Sequence, residues 1–583
     1  MTLKTSSNKL NPAVNFFKTS LKKQGGFVLL SLIISLLVCP GVLLKNISDN
    51  TVNIEKRGFY ELQNHLDAFS TLTFVISLAV MLLLLFVNFS FLYSKKSSDV
   101  FHSLPLTRNE LLLTRFSVSF IGAAIPLTAS FLGLVIIAAL PFVTGVAIFT
   151  VIKAYLLALL QLLMCGSFML IFIVSAGAIF DMIISLAAVN IGFPVITLIV
   201  SNWLSSLAEG VEMSENYVFY TSPLLYSAYN MPLVTRDENY NVIGGSMDYF
   251  TDKLTVFSII ALFILTILFG YIAIALFKKR KSETATEAYS FKFMPILISV
   301  LTSIGGGLVL SAIFEGVHPN TIGYWTFFCI GALIAAVVAG AIMTRGFKSI
   351  KTSLVKGGVA IGLMAVLCLG TLFVGNSIVD FVPDENRIKY IKVRDADYSK
   401  DLILDENFTE VINLHQSVVN VINSTGDRGD YYENTSDFGM ALRRFEITYV
   451  LKSGRKITRT YHLYRDIYNE PLLKLIQSEN YINAQIKECE SVTDNLLSGD
   501  YVDKTDNRYG NINITKEELL KLNELYIKEL KSADTSVFYE KCERINLSGK
   551  TATQYIKFII PESFTETVDY LSGLNIIFEE QTK

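Results

Sequence analysis

Histidine, cysteine and charge are all scarce in this chain. Its 583 residues include five histidines and six cysteines, and only 17% are charged. No C-x-x-C pair and no Cys/His spacing typical of zinc occurs, so the sequence predicts no metal site and no cofactor of its own. The net charge of −2 gives no excess of positive charge that would attract a nucleic-acid partner. Paired acids and a Ser/His arrangement are also missing, so we expect no catalytic residues.

Nucleotide-binding motifs are missing too. No G-x-x-x-x-G-K-[ST] sequence and no Leu-Ser-Gly-Gly-Gln signature occurs. The segment LSGKT at 547–551 comes near the first pattern, but Arg544 stands where its first glycine should be. We therefore do not expect this chain to hydrolyse ATP by itself.

Apolar residues, in contrast, are abundant and grouped in long runs. They make up 51% of the chain, and runs of about 20 apolar residues can cross a bilayer core. The sequence predicts a polytopic α-helical membrane protein with about nine transmembrane helices and a soluble α+β C-terminal domain. The predicted spans are 26–44, 70–93, 114–140, 154–179, 183–206, 254–277, 293–314, 323–343 and 358–379.

Basic residues indicate how these helices are oriented. With the N-terminus inside, the cytoplasmic segments hold 17 Lys and Arg residues and the outer loops before residue 380 hold six. Positive charge favours the cytoplasmic side, so we expect a cytoplasmic N-terminus and, after nine crossings, an extracytoplasmic C-terminal domain. The first run resembles a signal peptide but has no small-x-small cleavage site, so we interpret it as a retained helix.

The polar tail from residue 380 has the patterns of an α+β domain. The segment 445–464 alternates around Ser453-Gly454 and predicts a β-hairpin. Residues 408–422 and 515–530 predict helices, the second with a capping box from Thr515 and Glu518. The tail cysteines, Cys489 and Cys542, could form a disulfide or remain two thiols. The loop 208–253 is aromatic and acidic, which fits an interfacial cap on the bundle or a substrate-contacting lid.

A short amphipathic segment separates predicted spans two and three. Ser97 or Ser98 can cap a short helix there, and Pro105 ends it. Thr107 and Glu110 form a second capping box at the start of the next span. Helical geometry places Val100, Phe101 and Leu104 on one face and Asp99, His102 and Ser103 on the other. The segment could transmit force from a partner seated on Phe101, or could simply be an interfacial hairpin.

Small and polar residues interrupt two of the later spans. In span five, Asn190, Gly192 and Pro194 stand within six residues, which predicts either a helix hinge near a translocation path or a packing kink. In span eight, glycines and alanines repeat every four residues and predict close helix contact. The Gly-Gly-Gly at 305–307 indicates a close approach or a hinge. Few ionisable residues lie within spans, which argues against a proton-coupled transporter.

The segment DVFHSLPLTRNELLLTRF resembles the cytoplasmic coupling helix of permease subunits of type II ABC exporters. That family commonly has a Ser/Leu-Pro-x-Ser/Thr-Arg pattern after span two, matched here by Ser103, Leu104, Pro105, Leu106, Thr107 and Arg108. FKKRKSE at 277–283 resembles the end of span six in a subgroup from low-GC Gram-positive bacteria. The resemblance covers about half the chain and implies a six-helix permease core at 1–281, three additional helices at 282–379 and an extracytoplasmic domain at 380–583.

This resemblance implies a multi-pass subunit of a bacterial plasma membrane that works with a second permease, identical or paralogous. A dimer of separate ATPase subunits would bind ATP and press on the coupling segment, residues 97–108. The cargo would be an amphipathic drug, antimicrobial peptide or lipid-linked molecule. The alternative is a membrane-anchored receptor whose outer domain binds a ligand. The residues implied in ATPase coupling are Asp99, Val100, Phe101, His102, Leu104, Pro105, Thr107 and Arg108.

Overall fold

The fold is taken from a computed structural model. It describes residues 12–49, 60–61, 66–140, 143–144, 148–207, 210–211, 215–229, 234–236, 242–245, 253–284, 287, 289–316, 321–344, 346–395, 402–425, 443–463, 465–491, 496–503, 508–534, 543–550, 555–574 and 576–578. The chain divides into two compact units. The first consists of 1–199 and 215–365, and the second of 200–214 and 366–583.

Long apolar helices dominate the first unit. Among the described residues, nine helices are long and apolar enough to cross a membrane, as predicted. The helices up to span nine, which continues into the second unit, are α1 Pro12–Lys23, α2 Gly25–Leu36, α3 Val42–Asp49, α4 Leu66–Phe89, α5 Lys95–His102, α6 Arg108–Ala138, α7 Ile148–Ser175, α8 Ile179–Leu207, α9 Pro223–Tyr229, α10 Lys253–Lys279, α11 Phe293–Glu315, α12 Ile322–Thr344 and α13 Ile350–Val379.

Span one is interrupted near its middle. A π turn, Leu37–Gly41, joins α2 to α3 and contains Pro40. Proline has no backbone N–H, so the regular hydrogen-bond ladder cannot continue through it. Gly133 of α6 lies against this point, where a Cβ would come within 2.7 Å of the Pro40 ring. The proline and the glycine together bring span one close to α6.

Several helices begin earlier than the hydropathy of the sequence indicates. Helix α6 starts at Arg108 instead of 114, because Thr107 and Glu110 form the predicted capping box and hold its polar first turns in the helix. Helix α13 starts at Ile350 instead of 358. The additional first turns contain Lys351 and Lys356, residues that a hydropathy criterion excludes from a span.

Glycines bring α11 and α12 into close contact. A Cβ on Gly307 would come within 2.7 Å of the Phe328 ring, and one on Gly331 would come within 2.5 Å of the Gly306 carbonyl oxygen. Small residues permit such backbone approach in membrane helices. The predicted contact through the small residues of span eight is confirmed, and Gly306 and Gly307 act as close-approach residues.

The second unit contains two antiparallel sheets. The first has the strand order β6-β5-β7-β8 and the second β12-β11-β9-β10-β13. Two short strand pairs lie elsewhere, β1 with β2 and β3 with β4. The strands are β1 Tyr60–Glu61, β2 Val143–Thr144, β3 Val234–Arg236, β4 Val242–Gly245, β5 Ile388–Asp395, β6 Leu402–Leu404, β7 Arg443–Leu451, β8 Lys456–Leu463, β9 Leu496–Asp503, β10 Arg508–Thr515, β11 Glu543–Lys550, β12 Tyr555–Pro561 and β13 Ile576–Phe578.

The tail predictions agree with this architecture. Strands β7 and β8 form the predicted hairpin, and Gly454 in its turn has φ +84°. The tail helices are α14 Thr409–Thr425, α15 Arg465–Ile476, α16 Glu479–Glu490, α17 Lys516–Leu530 and α18 Thr565–Ser572. The capping box of Thr515 and Glu518 begins α17 as predicted. Cys489 is buried in the core, whereas Cys542 lies outside the described residues, so their pairing stays a prediction.

A buried polar cluster lies between α14 and the first sheet. Both ring nitrogens of His415 are 2.8 Å from a tyrosine hydroxyl, Nδ1 from that of Tyr449 and Nε2 from that of Tyr461. Arg459 lies nearby and donates to the Ile378 carbonyl near the end of α13. Burial, and secondarily the charge of Arg459, lowers the pKa of His415 to about 4. The histidine is therefore held neutral inside the fold.

This cluster predicts a loss of tail stability in acid. An unfolded histidine titrates near pH 6.5, so protonation favours the unfolded state as the pH falls from 6.5 towards 4. We expect a loss of about 3 kcal/mol over that interval. Pulse proteolysis of the tail in the full-length protein in detergent measures it. The matched control is His415→Gln, whose amide can donate and accept but does not titrate. Equal pH dependence in both proteins would contradict the assignment.

Candidate functional site: the coupling segment and the helix ends around it

The short helix before Pro105 begins earlier than predicted. It starts at Lys95, after Ser94 in extended conformation, so the prediction of Ser97 or Ser98 as the N-cap is wrong. Ser98 lies inside the helix, and its N–H donates to the Ser94 carbonyl at 2.8 Å. The segment SKKSS offers several polar residues as candidate caps, and Ser94 stands at the N-cap while Ser98 is buried within the helix. Asp99 consequently lies in the second turn, not the first.

The helix ends in a tight turn that leads directly into α6. It terminates at His102, and the Leu106 N–H donates to the Leu104 carbonyl across Pro105 at 2.7 Å. Thr107 then accepts from the Glu110 N–H, and the Glu110 carboxylate accepts from the Thr107 N–H at 2.8 Å. Only the five residues 103–107 separate α5 from α6, and their hydrogen bonds make this connection a tight turn.

Phe101 contacts other parts of the same chain. Its ring centroid is 4.5 Å from that of Phe91 and 6.5 Å from that of Phe16 in α1. The Arg115 guanidinium lies between the Phe16 and Phe101 rings, 4.7 and 4.8 Å from their centroids. The exposed apolar side chain of α5 is Val100, which is 59% accessible. The structure thus makes Phe101 an internal anchor and leaves Val100 exposed.

Two arginines connect the ends of four long helices here. Arg108, at the start of α6, donates through Nη1 to the carbonyls of Lys278 and Arg280 at 2.7 and 3.0 Å. Cationic side chains stabilise helix C-termini, where the last carbonyls have no partner within the helix. The coupling segment is therefore fixed to the end of α10.

The second arginine, Arg280, is only 5% accessible and contacts three carbonyls. Its Nη1 donates to Val174 at 2.5 Å and to Ala176 at 2.6 Å, and its Nη2 donates to Leu92 at 2.7 Å. Burial lowers the pKa of Arg280 to about 10, partly offset by Tyr93, so it remains protonated at neutral pH. We call Arg280 and these three carbonyls the Arg280 cluster.

The Arg280 cluster fixes the ends of α4, α7 and α10 to one another. Leu92 follows α4, and Val174 and Ala176 stand at the end of α7. Ser290 contacts the same region, since its N–H donates to the Ser175 carbonyl at 2.9 Å. We call this end of the bundle the Arg280 end. The sequence shows Arg280 only as one of four consecutive basic residues, and its role depends on the fold.

An amide network strengthens the same end of the bundle. Asn88 Oδ1 accepts from Gln24 Nε2 at 2.5 Å and from Arg115 Nη1 at 3.2 Å. Asn88 Nδ2 donates to the Ser119 hydroxyl at 2.7 Å. These bonds connect the start of span one with α4 and α6, so span one is held to the helices that flank the coupling segment.

The predicted hinge residues of α8 lie away from the coupling segment. Asn190 is about 16 Å along α8 from Ile179, and its Oδ1 accepts from the Ser222 hydroxyl at 2.7 Å. Gly192 lies against Leu301 of α11, where a Cβ would have a contact of 3.3 Å. Pro194 is buried in a helix that continues to Leu207. Asn190 and Gly192 thus have identified packing partners.

The described residues contain no group of three or more His, Cys, Asp or Glu side chains that could hold a metal ion. No protein-family model, curated protein or solved structure matches this chain. The relation of the chain to ABC permeases therefore remains a prediction from residues 97–116 and 277–283.

The arginine contacts predict a selective effect of substitution. Arg280→Met removes three charge-assisted hydrogen bonds and leaves buried carbonyls without a donor, which should lower the free energy of unfolding by about 3 kcal/mol. Lys279→Met, a change at an exposed neighbour, should have little effect. Thermal unfolding of the purified proteins in one detergent compares them. Equal midpoints for the two variants would show that the Arg280 cluster does not hold the helix ends.

Proposed function

We propose that this chain is the membrane subunit of an ATP-driven exporter and is driven by a separate ATPase bound at α5. The observation that carries the proposal is the connection between an exposed contact helix and four long helices. The tight turn 103–107 joins α5 to α6, Arg108 connects α6 to α10, and Arg280 connects α10 to the ends of α4 and α7. A force on α5 would therefore move these helix ends together.

The surface of α5 supports a protein contact. Val100 is an exposed apolar side chain, with the exposed Lys95, Lys96 and Asp99 on the same short helix. An apolar anchor surrounded by charged groups is typical of a protein interface. Phe101 supports the contact indirectly, because its packing on Phe91 and Phe16 fixes the position of α5.

The orientation follows from the distribution of basic residues. The Arg280 end contains Lys95, Lys96, Arg108 and the basic segment 278–281, all counted among the predicted cytoplasmic residues. We place this end in the bacterial cytoplasm, where an ATPase has access to ATP, and we place the C-terminal domain outside. The ATPase would act as a dimer, beneath two permease subunits that are identical or paralogous. Membrane lipid covers the apolar outer surface.

Co-purification tests this proposal. We expect a stoichiometric ATPase with both nucleotide motifs to copurify from native membranes with the tagged full-length protein. Val100→Asp should reduce its recovery at least tenfold, because an exposed charge would be buried in the interface. The control is Phe347→Asp, a change at an exposed aromatic residue between α12 and α13. Phe101→Asp is less informative, since it also disrupts contacts within this chain.

Three outcomes would contradict the proposal. If no ATPase copurifies under gentle solubilisation, α5 is only a hairpin between two spans. Recovery of a sensor kinase instead of an ATPase would favour the receptor function. If an ATPase copurifies equally with wild type, Val100→Asp and Phe347→Asp, the chain is a transporter subunit but α5 is not its contact.

A further inference from the structure

One lysine lies where the ends of three late helices meet. Lys356 is about 9 Å along α13 from its start at Ile350, and its Nζ donates to the Ser299 hydroxyl of α11 at 3.4 Å. Ser299 is also about 9 Å along its helix from the start at Phe293. The Ser299 hydroxyl in turn donates to Met343 Sδ, near the end of α12, at 3.6 Å. The lysine amine therefore lies at a junction of α11, α12 and α13.

Close packing of α12 and α13 fixes the position of this lysine. A Cβ on Gly340 of α12 would collide with the buried hydroxyl of Ser353 in α13. A Cβ on Gly357 of α13 would come within 3.1 Å of Ala336 in α12. Ser353 and Gly357 thus face α12, and helical spacing places Lys356 at the edge of that contact.

The junction can be reached from outside the bundle. Lys356 is partly accessible, in contrast to the fully buried Ser299 that holds its amine. On α13 the neighbouring apolar side chains of Val355 and Val359 are 68% and 49% accessible. On α11 the side chain of Ile296, one turn before Ser299, is 52% accessible. Exposed apolar side chains therefore flank the lysine and serine on both helices, and a ligand could approach without opening the bundle.

The charge of Lys356 is not neutralised by a carboxylate in the part of the chain that the structure describes. Its hydrogen-bond acceptor there is the neutral Ser299 hydroxyl, and an ammonium group has three N–H donors. Two donors are therefore left for a ligand. A cation partly removed from water is unfavourable unless an anion pairs with it. Lys351, earlier on the same helix, is exposed and can be hydrated instead.

We infer that Lys356, positioned by Ser299, binds the phosphate of an anionic phospholipid whose acyl chain lies along Val359. Lys356 comes just before the predicted apolar run 358–379, and helical side chains point towards the helix N-terminus, so the amine lies near the level of the headgroups. Basic pockets between membrane helices commonly bind such headgroups.

The flanking side chains favour a lipid over a free phosphate, because Val355 and Val359 provide apolar contacts that only an acyl chain uses. A zwitterionic lipid has its own cation beside the phosphate, which weakens the attraction of the phosphate to the lysine. The inference depends neither on an ATPase nor on the direction of transport.

Binding of defined lipids to the delipidated full-length protein tests the site. The protein in detergent is titrated with dioleoyl phosphatidylglycerol, and native mass spectrometry counts the lipid molecules bound at each concentration. We expect the first lipid to bind wild type at least tenfold more tightly than Lys356→Met. Lys356→Arg retains the cation and should retain most of the affinity. Dioleoyl phosphatidylcholine, with the same acyl chains, should bind wild type and Lys356→Met equally weakly.

The matched control is Lys351→Met, which removes an exposed lysine of the same helix and should leave the affinity for phosphatidylglycerol unchanged. An equal loss in both variants would overturn the proposal by assigning the effect to overall surface charge. Lys356→Met should fold, because it removes a cation that is partly desolvated, and its unfolding midpoint checks this. Lys356→Gln provides a second uncharged variant for the same comparison.

Two further results would overturn the proposal. Equal affinity of wild type and the uncharged Lys356 variants for phosphatidylglycerol would show that the amine only extends towards water at the membrane surface. Displacement of the bound lipid by millimolar inorganic phosphate would show that the site takes a free anion and not a lipid. Because the assay contains no ATPase, its result is independent of the co-purification outcome.

Discussion

The buried guanidinium of Arg280 is the contact on which the organisation of the Arg280 end depends. Carbonyls at helix ends need donors, and in an apolar surrounding water cannot provide them. One planar cation with several N–H groups satisfies Leu92, Val174 and Ala176 together. Desolvation of the charge is unfavourable, and three short hydrogen bonds offset it. Removing the cation would leave the carbonyls of α4 and α7 without that donor.

The mechanical role that we propose for the coupling segment depends on this constraint. Helix α5 alone has eight residues and is too short to be stable in isolation. Its position is fixed by the packing of Phe101 against Phe91 and by the tight turn 103–107 that joins it to α6. Arg108 then connects α6 to α10, which Arg280 connects to the other ends. A partner pressing on Val100 would therefore act on several membrane helices and not on a flexible loop.

Much of the fold could be predicted from the sequence. The nine apolar helices, the capping boxes of Thr107 and Thr515, and the β7–β8 hairpin follow from periodicity and local chemistry. Local patterns could not decide between Val100 and Phe101, because neighbouring helical residues differ by about 100° and both are apolar. An amide within a span needs a hydrogen-bond partner, and Asn190 finds it in Ser222, 32 residues further along the chain. No local pattern indicates that Ser222 lies next to α8, because only the fold brings the two residues together. Likewise, no pattern distinguishes Arg280 from the three lysines around it.

The distance between two spin labels at the Arg280 end tests most directly whether Arg280 holds these helix ends together. The width of its distribution is the quantity to measure. Spin labels at Lys96 and Lys278, both exposed, report on the start of α5, which follows α4, and on the end of α10 in the full chain in nanodiscs. If Arg280 holds the ends of α4 and α10 together, double electron–electron resonance should give one narrow distribution of label-to-label distances. Arg280→Met should broaden that distribution clearly. A wild-type distribution as broad as that of Arg280→Met would contradict the account, because the helix ends would then move independently of the arginine.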